Sequence, residues 1–209
     1  AGIERFLDLA GNGTDPETFW AEKTVLLLDF AMTNDPELFE KTHRVAADRL
    51  EEALDEGQDV ALLNLGDVSV YSSCHYVGAI LEKEGYAVRY TAGVTSFCAA
   101  ASLLGRSLTR MDTPVCIVPG AVGGEEVRRL LAEYGSKILM KTGSKLPETL
   151  AALHAEGLEA CTSVVVNCGL PGEQIFPDLA AYEDALSRDR EAVSSYFTLF
   201  LVTPPEETA

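Results

Sequence analysis

Residues 60–69 read VALLNLGDVS, an apolar run that ends in a glycine and an aspartate. The run at residues 60–65 is typical of a buried strand, and residues 69–84 have the pattern of a helix that ends at Gly85. Strand, short loop and helix in this order form the repeating unit of α/β proteins. Because ligands of α/β proteins bind beyond the carboxyl ends of strands, this stretch indicates both a fold class and the place of a site.

The same alternation extends in both directions along the chain. A helix is expected to begin at Asn34-Asp35-Pro36 and to end near Gly57. Further helices are predicted at residues 96–104, 125–134, 147–156 and 179–187, and further strands at 25–30, 86–91, 115–118, 137–140, 163–167 and 196–202. The pattern restarts after the Gly/Pro-rich stretch 119–124, which predicts two α/β lobes, residues 1–119 and 120–209.

The charge of the chain is strongly acidic but unevenly spread. The net charge is −17, which argues against nucleic acid as a partner. Residues 88–145 nevertheless hold eight basic and four acidic side chains, a local charge of +4 that leaves −21 on the remainder. Such a segment can attract an anionic ligand, although solvated helix faces explain the same charges equally well.

The cysteines and the hydropathy pattern narrow the class of protein. The five cysteines are odd in number and form no CxxC pair, which is typical of reduced thiols in a cytoplasmic protein. Their spacing and the three histidines do not suit zinc, so no bound metal is expected. We find no apolar run near the ~20 residues that span a bilayer and no signal-peptide pattern, so no membrane partner is expected.

Four predicted strand ends carry residues that suit a ligand. These residues are Gly66 and Asp67, Gly93, Thr95 and Ser96, Met140, and Gly169. Each has an ordinary alternative, because Asp67 and Thr95 can cap helices, Met140 can belong to the core and Gly169 can form a turn. Together they predict one ligand cleft.

Five segments in fixed order carry a resemblance to a known family: GDVSVYSS (66–73), AGVTSFCAAASLLGRSL (92–108), ILMKTGSKLPETL (138–150), NCGLPGEQI (167–175) and YFTLFLV (196–202). The set resembles the tetrapyrrole methylases, and within them the branch that methylates C20 of precorrin-2 or cobalt-factor II. The segment DFAMTND (29–35) looks like that branch too. The resemblance covers about residues 23–202, and GVTSF beside YSS is its most specific part.

The resemblance implies a two-lobe α/β homodimer that binds S-adenosylmethionine (SAM) in the cleft between the lobes. It implies cofactor contacts, largely through the backbone of the Gly-Asp loop, at Leu65, Gly66, Asp67, Val70, Thr95, Ser96, Met140 and Gly169.

The implied reaction needs few catalytic side chains. The methyl group of SAM is already activated, so the protein has to hold it in line with C20 of an electron-rich ring. Asp67 and Tyr196 are the candidates for assisting the departure of a ring proton. Basic residues that suit the carboxylates of the substrate are Arg106, Arg110, Lys141 and Lys145. The sequence does not say whether the substrate carries cobalt.

The chain departs from the family pattern at three places. Val68 and Ala92 stand where the family usually has proline, which loosens two turns. The family opens with a strand and a glycine-rich loop, of which residues 11–17 (GNGTDPE) are a faint echo. We therefore expect a fragment without its first strand and loop, which binds SAM weakly and methylates little unless it is extended at its N-terminus.

Other functions stay open from the sequence. A degenerate member could bind tetrapyrrole or SAM without turnover. A methylase of another branch would act on another macrocycle carbon or in diphthine synthesis.

Overall fold

The computed structural model describes residues 20–21, 23–31, 33, 35–120 and 122–203, so the faint echo of the glycine-rich loop at residues 11–17 lies outside the described residues. The chain divides into two compact units, one of Ala1–Asn64 with Tyr71–Thr91 and one of Leu65–Val70 with Ala92–Ala209. Helices accompany a mixed β-sheet, so the predicted α/β class is confirmed. Within the described ranges, no helix is both long and apolar enough to cross a membrane.

Two helices form the core of the first unit. Helix α1 (Pro36–Asp55) begins as predicted, because the Asp35 side chain accepts hydrogen bonds from the first turn and proline occupies the first helical position. Helix α2 (Ser73–Lys83) is capped by the Ser72 hydroxyl. Small and branched residues of the two helices pack together, namely Ala46, Ala47, Leu50, Val77 and Leu81.

The strands predicted in the first unit are not formed. Residues 25–30, 60–65 and 86–91 have no strand assignment in the described structure. Some of their side chains still pack against the two helices, namely Leu28, Phe30, Leu62, Tyr86 and Val88, whereas Leu27 and Leu63 are exposed. An apolar run thus predicted burial only in part, and a strand also needs a hydrogen-bonded neighbour, which no local pattern specifies.

The second unit contains a five-stranded sheet in the order β1-β2-β5-β3-β4. The strands are β1 Val115–Pro119, β2 Ser136–Met140, β3 Thr162–Val166, β4 Gln174–Phe176 and β5 Thr198–Val202. Strands β1 and β2 are parallel, whereas β5 is antiparallel to both β2 and β3. Strands β1, β2 and β3 therefore all end at one edge of the sheet, where β5 begins. We call this edge the carboxyl edge.

Helices cover both faces of this sheet. Helices α4 (Gly124–Ala132), α5 (Leu146–Ala155) and α6 (Leu179–Arg188) pack on one face, around residues such as Leu139, Val164 and Phe200. Helix α3 (Ser96–Leu103) packs on the other face through Ala100 and Ala101. Helix α7 (Arg190–Val193) follows α6. The predicted helices and strands of this unit are confirmed to within a few residues, and β4 and α7 were not predicted.

The division of the chain differs from the boundary predicted at residues 119–124. Strand β1 ends at Pro119 and is hydrogen-bonded along its length to β2. This ladder ties residues 115–119 to the second unit, which takes in everything from Ala92 onward and the loop Leu65–Val70. The Pro119-Gly120 pair that suggested a boundary therefore lies within one unit.

Candidate functional site

Two loops of the second unit lie in direct backbone contact. Gly66 has a φ of +91°, a conformation that favours glycine. A side chain at Gly93 would overlap with the carbonyl oxygen of Gly66 and would lie 3.3 Å from the Cα atom of Asp67. Residue 93 therefore has to be glycine for the loops to approach this closely. The predicted neighbourhood of the two glycine loops is present in the structure.

The carboxylate of Asp67 joins these loops. Its Oδ2 accepts a hydrogen bond from the backbone N–H of Gly93 at 2.7 Å. Its Oδ1 accepts from the backbone N–H of Ser69 at 2.8 Å and also from the Ser69 hydroxyl. With both oxygens engaged in this way, Asp67 has a clear structural role. Its suggested role in proton removal stays a prediction.

The other residues predicted on the first loop lie close by. The backbone N–H of Val70 donates to the carbonyl of Asp67 at 3.3 Å, which closes a turn. Leu65 is 63% exposed, although it is apolar. An exposed leucine beside a glycine in the left-handed region offers a ligand an apolar surface and accessible backbone.

The second loop leads into helix α3. Thr95 is the N-cap residue, yet its side chain makes no capping hydrogen bond. Its hydroxyl is buried and has no hydrogen-bond partner among the described residues. Ser96 is the first residue of the helix, and Phe97 packs against the same apolar cluster as Met140 and Cys168. The loop pair is thus linked through residues 93–97 to the carboxyl edge of the sheet.

The residues that directly follow β2 and β3 have unusual backbone conformations. Lys141 has a φ of +59° and Asn167 a φ of +53°, in the left-handed region that costs energy for a residue other than glycine. Such outliers are often found at functional sites. Because β2 and β3 are the two neighbours of β5, these two residues lie on either side of the chain that enters β5.

Two predicted residues from distant segments meet at this edge. The Nζ atom of Lys141 lies 5.9 Å from the centroid of the Tyr196 ring, within cation–π range. Tyr196 is 46% exposed and also makes an edge-on contact with Phe197. The pair presents an ammonium group and a phenol side by side.

Gly169 lies in the loop between β3 and β4. Its φ is +72°, and its N–H donates to Oε2 of Glu173 at 2.6 Å. Burial raises the pKa of the neighbouring Cys168 thiol, and the charge of Glu173 adds to the effect. Cys168 is therefore a neutral packing residue at neutral pH rather than a reactive thiolate.

The four basic residues predicted for substrate binding fall into two groups. Lys141 lies at the carboxyl edge, and Lys145 lies four residues on, 3.5 Å from Glu148. Arg106 instead donates to the hydroxyl of buried Ser163, near the start of β3, at 2.7 Å. Arg110 belongs to a turn just before β1. Both arginines therefore lie toward the opposite edge of the sheet, where the structure does not bring them together with Tyr196.

Sequence reasoning missed several residues of this edge. The N–H of Gly120 donates a hydrogen bond to the Met140 carbonyl at 2.5 Å. A Cβ atom at residue 120 would lie 2.5 Å from the Cα atom of Thr142. The hydroxyl of Thr142 is buried without a hydrogen-bond partner in the described part of the chain. Asn167 also belongs to this edge, but it was not among the predicted site residues. Asparagine directly after a strand was the available signal, since it is the residue besides glycine that best tolerates a positive φ.

Among the described residues, no group of three or more His, Cys, Asp or Glu side chains is arranged to hold a metal ion. The donors at the site are instead backbone N–H groups, hydroxyls, a lysine and a tyrosine. These groups suit a polar organic or anionic ligand.

Fold and site together define an α/β protein with a ligand site formed by glycine loops and strand ends. A family model described as tetrapyrrole (corrin/porphyrin) methylases matches residues 6–181. The chain belongs to this family.

Curated relatives include methyltransferases for two ring positions. A probable cobalt-precorrin-2 C(20)-methyltransferase of Methanocaldococcus jannaschii is 32% identical over 63% of this chain and 54% of its own length. A cobalt-precorrin-2 C(20)-methyltransferase of Salmonella typhimurium is 26% identical over 86% of this chain and 73% of its own length. A precorrin-4 C(11)-methyltransferase of Sinorhizobium sp is 36% identical over 57% of this chain and 51% of its own length. The chain thus spans about half the length of two of these relatives.

Solved structures share the fold. A cobalt precorrin-4 methyltransferase superimposes with a TM-score of 0.66 at 18% identity, over 92% of this chain and 80% of its own. A uroporphyrin-III C-methyltransferase of Thermus thermophilus, complexed with S-adenosylhomocysteine, has a TM-score of 0.54 at 19% identity, over 78% and 71%.

Proposed function

We propose that this protein is a SAM-dependent methyltransferase of cobalamin biosynthesis that methylates C20 of precorrin-2 or its cobalt form. The observation that carries the proposal is the joined loop pair of Gly66, Asp67 and Gly93, which leads through α3 to the carboxyl edge, in a chain of the tetrapyrrole methylase family. The C20 position is favoured because a relative named for that activity matches 86% of the chain, whereas the C11 relative matches 57%.

The residues present fit a SAM-like ligand. Gly66 and Gly93 bring bare backbone close together, and the Thr95 hydroxyl is buried without a partner. A ligand that reached this hydroxyl would remove the cost of leaving it unsatisfied. We assign the cofactor to Leu65, Gly66, Asp67, Val70, Thr95, Ser96, Met140 and Gly169. The name of one fold neighbour includes S-adenosylhomocysteine, the product form of the same cofactor.

The cofactor supplies an activated methyl group, and the protein supplies position. The loop pair is held rigid by Asp67, so the backbone donors need little reorganisation when ligand binds. Of the two residues suggested for proton removal, Asp67 uses its oxygens to accept backbone hydrogen bonds, and Tyr196 is exposed at the edge, where we assign its hydroxyl to substrate binding.

The substrate side of the site is assigned to Lys141, Lys145 and Tyr196. A reduced tetrapyrrole carries several carboxylates, and lysine ammonium groups at one edge would attract them. Arg106 and Arg110 lie toward the other edge and are left out of this assignment.

Oligomeric state and location belong to the same proposal. We expect a homodimer in the cytoplasm. Light scattering of the purified protein measures its oligomeric state.

The main alternative to this proposal is methylation at another ring position, since a C11 methyltransferase of precorrin-4 is 36% identical to part of the chain. The full-length protein is incubated anaerobically with methyl-labelled SAM and, in separate reactions, with precorrin-2, cobalt-precorrin-2 and precorrin-4. We expect label at C20 of one of the first two. Label on precorrin-4 alone would move the assignment to C11. Binding of S-adenosylhomocysteine without transfer to any of the three would indicate a non-catalytic member.

A further inference from the structure

The side chain of Asn167 connects two loops at the carboxyl edge. Its Oδ1 accepts a hydrogen bond from the Ser195 hydroxyl at 2.7 Å, and its Nδ2 donates to the carbonyl of Gly172 at 3.4 Å. Its backbone N–H donates to the carbonyl of Phe197 at 3.1 Å. One residue in the left-handed region thus ties the β3–β4 loop to the segment that enters β5.

Ser195 continues the network around Tyr196. Its hydroxyl oxygen accepts from the backbone N–H of Phe197 at 3.1 Å. Its own N–H donates to the Thr198 hydroxyl at 3.2 Å, and that hydroxyl donates back to the Ser195 carbonyl at 2.8 Å. These bonds lie on both sides of Tyr196 in the chain, so the backbone that carries the tyrosine is closed into a defined turn.

This turn fixes the backbone from which the Tyr196 side chain extends. The ring faces the Lys141 ammonium across 5.9 Å, but a cation–π contact at an exposed site is weak and cannot by itself hold a half-exposed side chain. The clamp formed by Asn167 and Ser195 holds the backbone on one side of β5, while Lys141 is held by its own strand on the other.

We infer that Asn167 and Ser195 are positioning residues, whose clamp places the Tyr196 hydroxyl beside the Lys141 ammonium so that the two together bind one carboxylate of the substrate. This inference rests on the proposed function. An ammonium and a phenolic O–H can both donate to one carboxylate. Neither Asn167 nor Ser195 touches the ligand.

The variants separate backbone conformation from the clamp. Asn167→Gly keeps the positive φ without strain but removes both side-chain hydrogen bonds, whereas Asn167→Ala removes the bonds and adds strain. Ser195→Ala breaks the clamp from the other side, and Ser195→Thr keeps a hydroxyl. The matched control is Ser187→Ala, whose hydroxyl donates to a carbonyl within α6.

The probes are uroporphyrin III, a planar tetrapyrrole with several carboxylates, titrated by fluorescence, and S-adenosylhomocysteine, titrated by calorimetry. We expect Asn167→Gly and Ser195→Ala to weaken uroporphyrin binding about 5- to 10-fold, the effect of losing one hydrogen bond of ordinary strength. S-adenosylhomocysteine binding should change less than about twofold, a difference well under that of one hydrogen bond. Ser195→Thr and Ser187→Ala should behave like the wild type.

A second measurement distinguishes positioning from loss of structure. In a Tyr196→Phe background, Ser195→Ala should cause no further loss of uroporphyrin affinity, because the clamp acts through the Tyr196 hydroxyl. Equal losses in both backgrounds, or an Asn167→Gly variant that binds like the wild type, would overturn the inference. If the wild type binds S-adenosylhomocysteine but not uroporphyrin, the carboxylate role is wrong and the cofactor proposal stands. If it binds neither, the proposed function fails too.

Discussion

The Asp67 carboxylate accepts a hydrogen bond from the backbone N–H of Gly93 at 2.7 Å, across 26 residues of sequence. The same carboxylate accepts two hydrogen bonds from Ser69. The interaction turns two loops into one rigid unit, and the absence of a side chain at Gly93 permits their contact. Four predictions follow from this relationship and from the geometry of the rest of the second unit.

Gly93→Ala should disrupt the loop pair, because the new methyl group would overlap with the Gly66 carbonyl oxygen. The backbone has to move to relieve this overlap. We therefore expect a loss of about 1–3 kcal/mol in unfolding free energy. Binding of S-adenosylhomocysteine should be at least about tenfold weaker in calorimetry. Gly123→Ala is the control, since a Cβ at residue 123 meets nothing within 4 Å. Cofactor affinity that survives Gly93→Ala would place the ligand away from this loop pair.

Asp67→Asn tests whether this residue organises the loops or removes a proton. The asparagine amide keeps the shape of the carboxylate but places an NH₂ group opposite an N–H donor. This should lower the unfolding free energy by about 1–3 kcal/mol. If the structural role dominates, the dissociation constant for S-adenosylhomocysteine rises and kcat at saturating SAM changes little. A fall in kcat with unchanged cofactor affinity would instead support the catalytic assignment. Ser69→Ala, which removes one of the hydrogen bonds, should give a smaller effect of the same kind.

Lys141→Met should weaken binding of a tetrapyrrole polycarboxylate, whereas Arg110→Met, toward the opposite edge of the sheet, should not. We expect about 10-fold weaker binding of uroporphyrin III for the first variant and a shallower dependence on salt, because one charge contact is lost. Tyr196→Phe should give a smaller loss by removing a single donor. Equal effects of the Lys141 and Arg110 variants would show that the basic segment acts only through its overall charge.

His154 should make stability depend on pH. Its two ring nitrogens lie 2.8 Å from Glu183 and 2.9 Å from Glu159, and these hydrogen bonds raise its pKa above the ordinary value of 6.5. The pairing therefore stabilises the folded state fully below pH 6.5, and the contribution is lost as the pH rises through the raised pKa. Because the side chain is 45% exposed, we expect no more than about 1 kcal/mol.

The measurement is the melting temperature of the wild type and His154→Gln from about pH 6 to about pH 8.5. The difference between the two proteins should be about 2–4 °C at the acidic end and should shrink toward the alkaline end. Glu183→Gln removes one of the two partners and should give an intermediate difference. A difference that grows with pH would contradict the assigned sign.

The sequence predicted the second unit far better than the first. Helix α1 was predictable because its cap, Asp35, and its first proline are local signals. The strands of the sheet were predictable because their apolar runs are short and separated by turns. In the first unit, the same kind of run at residues 25–30 packs on helices without forming a strand. Burial is encoded locally, whereas pairing depends on a distant partner.

Among the candidate site residues, the sequence by itself determined which types of residue follow the apolar runs. Glycine there lets backbone approach closely, and aspartate, threonine and lysine supply polar groups. Only the tertiary structure decided which of them meet. In the structure, Asp67 accepts a hydrogen bond from Gly93, Lys141 lies beside Tyr196, and Arg106 donates to buried Ser163. Such contacts join residues about 25–60 apart in sequence. Those of Lys141 and Arg106 follow from the order of strands in the sheet, which no local periodicity specifies.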